Sequence, residues 1–164
     1  MPKGNSVPTE PQLALVITRV FDAPRSLLFK MWIEGEHLAH WSAPRGFTIP
    51  YSEADVRPGG AWRCCMRSPE GVEYWVGGVY REIVEPERLV FTHAFDEEEG
   101  KPGPETLVTV TFGADRGKTR LTFRQTGFGS VPSRDGHREG WSQCFDRLAE
   151  YLKEIADRNE GHAR

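Results

Sequence analysis

Between residues 47 and 126 apolar side chains recur at every second position in short runs, and each run stops at glycine, proline or acidic residues. That period predicts strands. The six segments are "FTIPYSEADV", "AWRCCMRS", "VEYWVGGVYREIV", "RLVFTHAF", "ETLVTVTF" and "KTRLTFRQT", joined by "RPGG", "PEG", "EPE", an acidic loop "DEEEGKPGP" and the hairpin connection "GADRG". Short strands joined by tight turns make an antiparallel meander. In "ETLVTVTF" Thr106, Val108, Val110 and Phe112 share one face, and Glu105, Leu107, Thr109 and Thr111 the other. In "KTRLTFR" Leu121 and Phe123 oppose Arg120, Thr122 and Arg124. The sheet is therefore expected to have one dry and one wet face.

The two ends of the chain read differently. "LALVITRVF", 13 to 21, is a further strand, and Asp22 with Pro24 signals a helix start. In the helix that follows, Leu28, Met31 and Trp32 form one apolar stripe; Gly35 is expected to stop it. A second short helix, "EHLAHW", ends before Pro44 and Gly46. From about 133 to 156 a longer helix brings Trp141, Phe145, Leu148, Leu152 and Ile155 to one side, so it is expected to cover the dry face. Within it Gly140 is anomalous, because glycine in a helix interior costs about 1 kcal/mol relative to alanine. Three explanations stand open: a hollow beneath the helix, a close backbone approach, or a helix that begins only at Trp141. The domain is expected over 13–156, with flexible flanks at 1–12 and 157–164.

Composition narrows the function classes. Of the 164 residues 38% are hydrophobic and 27% charged, the balance of one globular domain with a sizeable core. The 21 Lys and Arg residues are dispersed among 24 acids without a basic run, which argues against nucleic acid as a partner. No stretch is long and apolar enough for stable membrane insertion, and the polar start "MPKGNSVPTE" does not read as a signal peptide. Cys64, Cys65 and Cys144 offer no spaced pairs for a disulfide framework, and the adjacent two point to opposite faces of a strand. A cytoplasmic location follows as the expectation.

Five phrases carry a family likeness: "TRVFDAPRSLLFKMW", "HLAHWSAPRGF", "DVRPGGAW", "VYREIVEPERLVFTH" and "GWSQCFDRLAEYL". In that order, over about residues 13 to 154, they resemble the START-like SRPBCC superfamily, in the group homologous to the C-terminal domain of the heat-shock-protein-90 ATPase activator. The resemblance implies an α+β helix-grip fold: a curved antiparallel sheet of about seven strands around a long C-terminal helix, with two short helices after strand 1. It also implies an elongated apolar cavity between sheet and helix, and a small hydrophobic molecule or lipid as partner. A chaperone is the alternative partner. The separate N-terminal domain of the eukaryotic co-chaperone has no counterpart in this sequence, which weighs against that alternative. His40 stands where the resemblance implies tryptophan.

On this frame the cavity-lining candidates are Trp41 from the second helix, and Trp62, Cys64, Met66 and Tyr74 from two neighbouring strands. Phe91, His93, Val108, Val110 and Phe123 are added from the dry face of the later strands, and Gly140, Trp141 and Phe145 from the long helix. His93 is the titratable residue of most interest, since it is in phase with Leu89, Phe91 and Phe95. His40, Arg19 and Glu53 are candidate polar anchors for a ligand head group. If the protein were a cyclase, aromatase or hydrolase, His93 is expected to meet Tyr74 or Glu53 within hydrogen-bond reach. Cys64 is expected to be inert packing. No catalytic residue, cofactor or metal site is assigned: the five histidines are scattered, and His37 with His40 lacks further ligands. The chain is read as monomer or homodimer.

Overall fold

The computed structural model describes residues 13–97, 101 and 103–162. The elements run β1 (Leu15–Phe21), α1 (Arg25–Ile33), α2 (Gly35–Trp41), β2 (Thr48–Ala54), β3 (Ala61–Arg67), β4 (Glu73–Val84), β5 (Arg88–Phe95), β6 (Thr106–Asp115), β7 (Lys118–Thr126) and α3 (Val131–His162). All seven strands join one curved antiparallel sheet in the order β1-β7-β6-β5-β4-β3-β2. Only β1 leaves the meander: it pairs with β7, and α1 and α2 then carry the chain to the other edge of the sheet, where β2 begins. This is the helix-grip α+β architecture.

The alternation that predicted the strands also sets the layers. In β6 Thr106, Val108, Val110 and Phe112 are buried, and in β7 Thr119, Leu121, Phe123 and Gln125. Onto this dry face α1 lays Leu28, Phe29, Met31 and Trp32. The C-terminal part of α3 adds Cys144, Phe145, Leu148, Tyr151 and Leu152. These side chains form the main core. A second, smaller cluster of Ala43, Cys64, Met66 and Val76 lies on the β3–β4 side, with Trp62 packed against both.

Several local expectations are corrected. Pro24, not Asp22, is the N-cap of α1, and its side chain supplies no capping bond. Glu34 in extended conformation separates α1 from α2, so Gly35 opens the second helix rather than closing the first. The helix α3 spans Val131–His162, beyond both of the expected limits at about 133 and 156. The pairing of β4 with β5 shifts register between Tyr80 and Glu82. Gly78 itself meets a different demand, since a Cβ there would lie 1.9 Å from the Thr92 carbonyl oxygen. In "RPGG" Gly59 has φ +86°, the conformation that a tight turn asks of glycine. The expected flexible segment 1–12 and part of the acidic loop lie outside the described residues.

Candidate functional site: an apolar cavity beneath the long helix

The helix α3 changes character along its length. From Cys144 onward its inner side is large and buried, but the preceding two turns present Ser133, Gly136, His137, Gly140 and Trp141 inward, at steps of three and four. Small residues at three of these positions leave the helix standing off the sheet. The result is a cavity of about 490 Å³ between α3, α2 and strands β2 to β5.

Gly140 now has an explanation. It lies well inside α3, which excludes a helix starting at Trp141. A Cβ at this position would meet only the Pro44 ring, at an ordinary 3.8 Å, which excludes a forced close approach. What remains is space: any larger side chain at Gly140 would extend into the cavity.

The wall is built from alternate residues of neighbouring strands. Trp62, Cys64 and Met66 of β3 lie beside Tyr74, Val76 and Tyr80 of β4, followed by Phe91, His93 and Phe95 of β5. Trp32 and Trp41 close the deep end, their rings 4.7 Å apart, and Trp32 stacks 6.1 Å from Trp141. The exposed residues Ser52, Ala54, Tyr74, Ser133 and Gly136 mark the mouth, between β2 and the start of α3. The indole N–H groups of Trp41, Trp62 and Trp141 donate to the Met31 carbonyl, the Thr92 carbonyl and the Gln125 side chain. That of Trp32 has no partner among the described residues.

One polar network interrupts this surface. Gln125 is fully buried. Its Oε1 accepts from Trp141 Nε1 at 2.9 Å; its Nε2 donates to Thr106 Oγ1 at 2.8 Å and faces His93 Nδ1 at 3.4 Å. The Thr106 hydroxyl in turn donates to the His93 carbonyl at 2.7 Å. An indole can only donate, so the amide orientation is fixed. Burial pushes the His93 pKa down to about 3, with His137 adding to the shift. His93 is thus a neutral imidazole on a mainly apolar wall.

The other candidates are placed as follows. Trp41, Trp62, Cys64, Met66, Tyr74, Phe91, His93, Gly140 and Trp141 lie on the wall. Val108, Val110 and Phe123 do not: they belong to the dry face but are fully buried under α1 and the C-terminal part of α3, and Phe145 of α3 packs into that same core. Arg19 is engaged by Asp146 at 2.5 Å and by the Ser142 carbonyl, away from the cavity. His40 stacks on Tyr151 at 4.3 Å on the outside of α2. Glu53 reaches the rim, but its carboxylate accepts from Tyr51 two residues away on the same strand face. His93 meets neither Tyr74 nor Glu53 within hydrogen-bond reach; its side-chain neighbour is Gln125, at Nδ1.

Sequence reasoning missed Gln125, His137 and Gly136. A polar Gln125 in phase with Leu121 and Phe123, and a second glycine four residues before Gly140, were the available signals. The thiols of Cys64 and Cys144 are pushed up to about 11 and about 12 by burial, so both remain protonated. Glu34, Glu36 and His37 bring ligand-type atoms within 4.8 Å of one another, but the ring nitrogens of His37 are already matched to Tyr151 and Glu34. No helix among the described residues is long and apolar enough to cross a membrane.

With this geometry in view, the comparisons with known proteins decide the family. The model for "Activator of Hsp90 ATPase homolog 1-like protein" matches residues 22–153. The chain belongs to this family. Its fold recurs in a crystal structure of a Nitrosomonas europaea protein, 25% identical, covering 91% of this chain and 99% of that one with a TM-score of 0.77. The AHSA1 protein of Silicibacter pomeroyi is 26% identical over 87% and 99% of the two chains, with a TM-score of 0.79. A Chromobacterium violaceum protein is 26% identical over 84% and 96%, with a TM-score of 0.74. No curated protein matches the sequence.

Proposed function

We propose that this AHSA1-like protein binds a small hydrophobic or amphipathic molecule in the cavity beneath α3, in the cytoplasm, and acts by sequestration, transport or sensing. The observation that carries the reading is the placement of Gly136 and Gly140 over a 490 Å³ apolar space. A helix that needed only to pack would fill that space, since voids cost stability roughly in proportion to their volume. Apolar walls supply affinity through burial, and the His93–Gln125 network supplies orientation.

The family description names activation of the Hsp90 ATPase. That role calls for a docking face on the outer surface, and the cavity contributes no argument for it.

Native mass spectrometry of freshly purified protein, followed by denaturing extraction, tests the reading. A stoichiometric apolar adduct that is released on unfolding is the expected result. Protein without adduct, whose thermal midpoint also ignores a panel of lipids and aromatic compounds, would overturn it.

A further inference from the structure

The cavity carries a second imidazole that the binding reading does not use. His137 lies one helical turn before Trp141, and its ring centroid is 5.9 Å from that of His93. Phe95 packs against both rings, at 5.3 and 5.8 Å, and Phe128 lies 4.9 Å from His137. Two histidines therefore face each other across an aromatic surround at one side of the wall.

Their hydrogen bonds assign opposite tautomers. His137 Nδ1 lies 2.8 Å from the Ser133 carbonyl oxygen, which can only accept, so Nδ1 carries a proton. Nε2 of neutral His137 is then an acceptor. At His93 the order is reversed: Nδ1 faces the Gln125 NH₂ group, whose orientation is fixed by Trp141, so Nδ1 accepts and Nε2 carries the proton. Neither Nε2 has a partner among the described residues. One ring offers a donor and the other an acceptor, and their centroids lie 5.9 Å apart, a span that one oxygen set between the two rings can bridge.

Charge on the wall sharpens the choice. Neither Lys nor Arg lines the cavity among the described residues, and the carboxylate at its rim is Glu53. An anionic head group would enter without a counter-charge and past a like charge, at a desolvation cost that an apolar body does not offset. An ether or ketone oxygen can use His93 but leaves His137 unmatched. A hydroxyl group both accepts and donates, and remains neutral.

We propose, on the basis of the cavity-binding reading, that His93 and His137 form a head-group subsite for a neutral hydroxyl. The ligand class is an alcohol or phenol with an apolar body, its oxygen accepting from His93 Nε2–H and its proton donated to His137 Nε2.

Calorimetric titration with 4-octylphenol, 4-octylanisole and 4-octylbenzoate at mildly alkaline pH tests the assignment, because the three share one apolar body. The phenol is expected to bind about tenfold tighter than the anisole, the worth of one buried hydrogen bond, and the benzoate weakest. In His137→Phe, at a half-buried position of α3 and checked for a native thermal transition, the phenol preference is expected to shrink to about twofold or less while the anisole still binds. His93→Gln, checked for a native thermal transition, is expected to weaken phenol and anisole together. Equal affinities for phenol and anisole in the unmodified protein, a preference for benzoate, or a phenol preference that survives His137→Phe would each overturn the hydroxyl subsite and leave cavity binding intact. Failure of all three probes to bind would overturn cavity binding, and the subsite with it.

Discussion

The indole N–H of Trp141 on α3 donates at 2.9 Å to the side-chain carbonyl of Gln125 on β7, so a residue of the cavity wall is anchored by an amide buried in the sheet. Gln125 needs the bond, because it is fully buried and no water can replace the indole donor on its Oε1. Gln125→Leu leaves the Trp141 donor without its acceptor and removes the donor to Thr106. The expected loss is about 1–3 kcal/mol, read from urea denaturation. Gln125→Glu keeps an acceptor but introduces a buried charge, and is expected to be the less stable of the two. A Leu variant as stable as the parent would show that the network does not hold the helix.

Gly140 lends itself to a two-step test. Gly140→Ala adds a Cβ that meets only the Pro44 ring, at 3.8 Å, so the helix gains about 1 kcal/mol from propensity and Tm rises. Gly140→Leu is expected to retain the fold and to weaken 4-octylphenol binding by more than about tenfold, since it fills cavity rather than core. A stable Leu variant that binds the probe as the parent does would place the binding site elsewhere.

Acid sensitivity follows from His93. Its folded pKa, about 3, lies below the ordinary 6.5, so between those values the unfolded chain takes up a proton that the folded chain refuses. Stability from this residue is therefore complete above 6.5 and declines as pH falls through the window, by up to about 1.4 kcal/mol per pH unit. Asp96 and Glu150, held low by hydrogen bonds from Arg63 and Arg45, add their own losses at the acidic end. The upper part of the window isolates His93: there the stability of His93→Gln should fall less steeply with acidification than that of the parent. Parallel curves would contradict a buried neutral imidazole.

The cysteines should behave as packing. Burial raises the thiol pKa values of Cys64 and Cys144 to about 11 and about 12, so iodoacetamide should modify neither in the folded protein at mildly alkaline pH, and all three cysteines after unfolding. Rapid native labelling of Cys64 or Cys144 would show that the wall opens far more than this structure implies.

Strand positions and facing were legible because the sheet buries one face, and burial writes a period of two into β6 and β7. For the same reason Trp62, Cys64 and Met66 could be assigned to a common side. Alternation reports which face a residue takes, but not what stands opposite. Val108 and Phe123 share the dry face with Phe91 and His93, and only the course of α3 and α1 decides that the first two are sealed while the others border space. Helix limits were less legible, since Pro24 starts α1 without a side-chain cap and Glu34 breaks the chain by backbone conformation alone. The tautomers of His93 and His137 depend on partners 32 and 4 residues away in sequence, and no local pattern encodes the first.

The small residues of α3 occupy turns that precede its core-packing segment, so capacity and cohesion are written on different stretches of one rigid rod. On the proposed binding function, substitutions at Gly136 and Gly140 would therefore retune which molecules fit without renegotiating the fold. A lineage built on this scaffold could diverge in cargo through single codon changes, and a designer could do the same by varying two positions in a library.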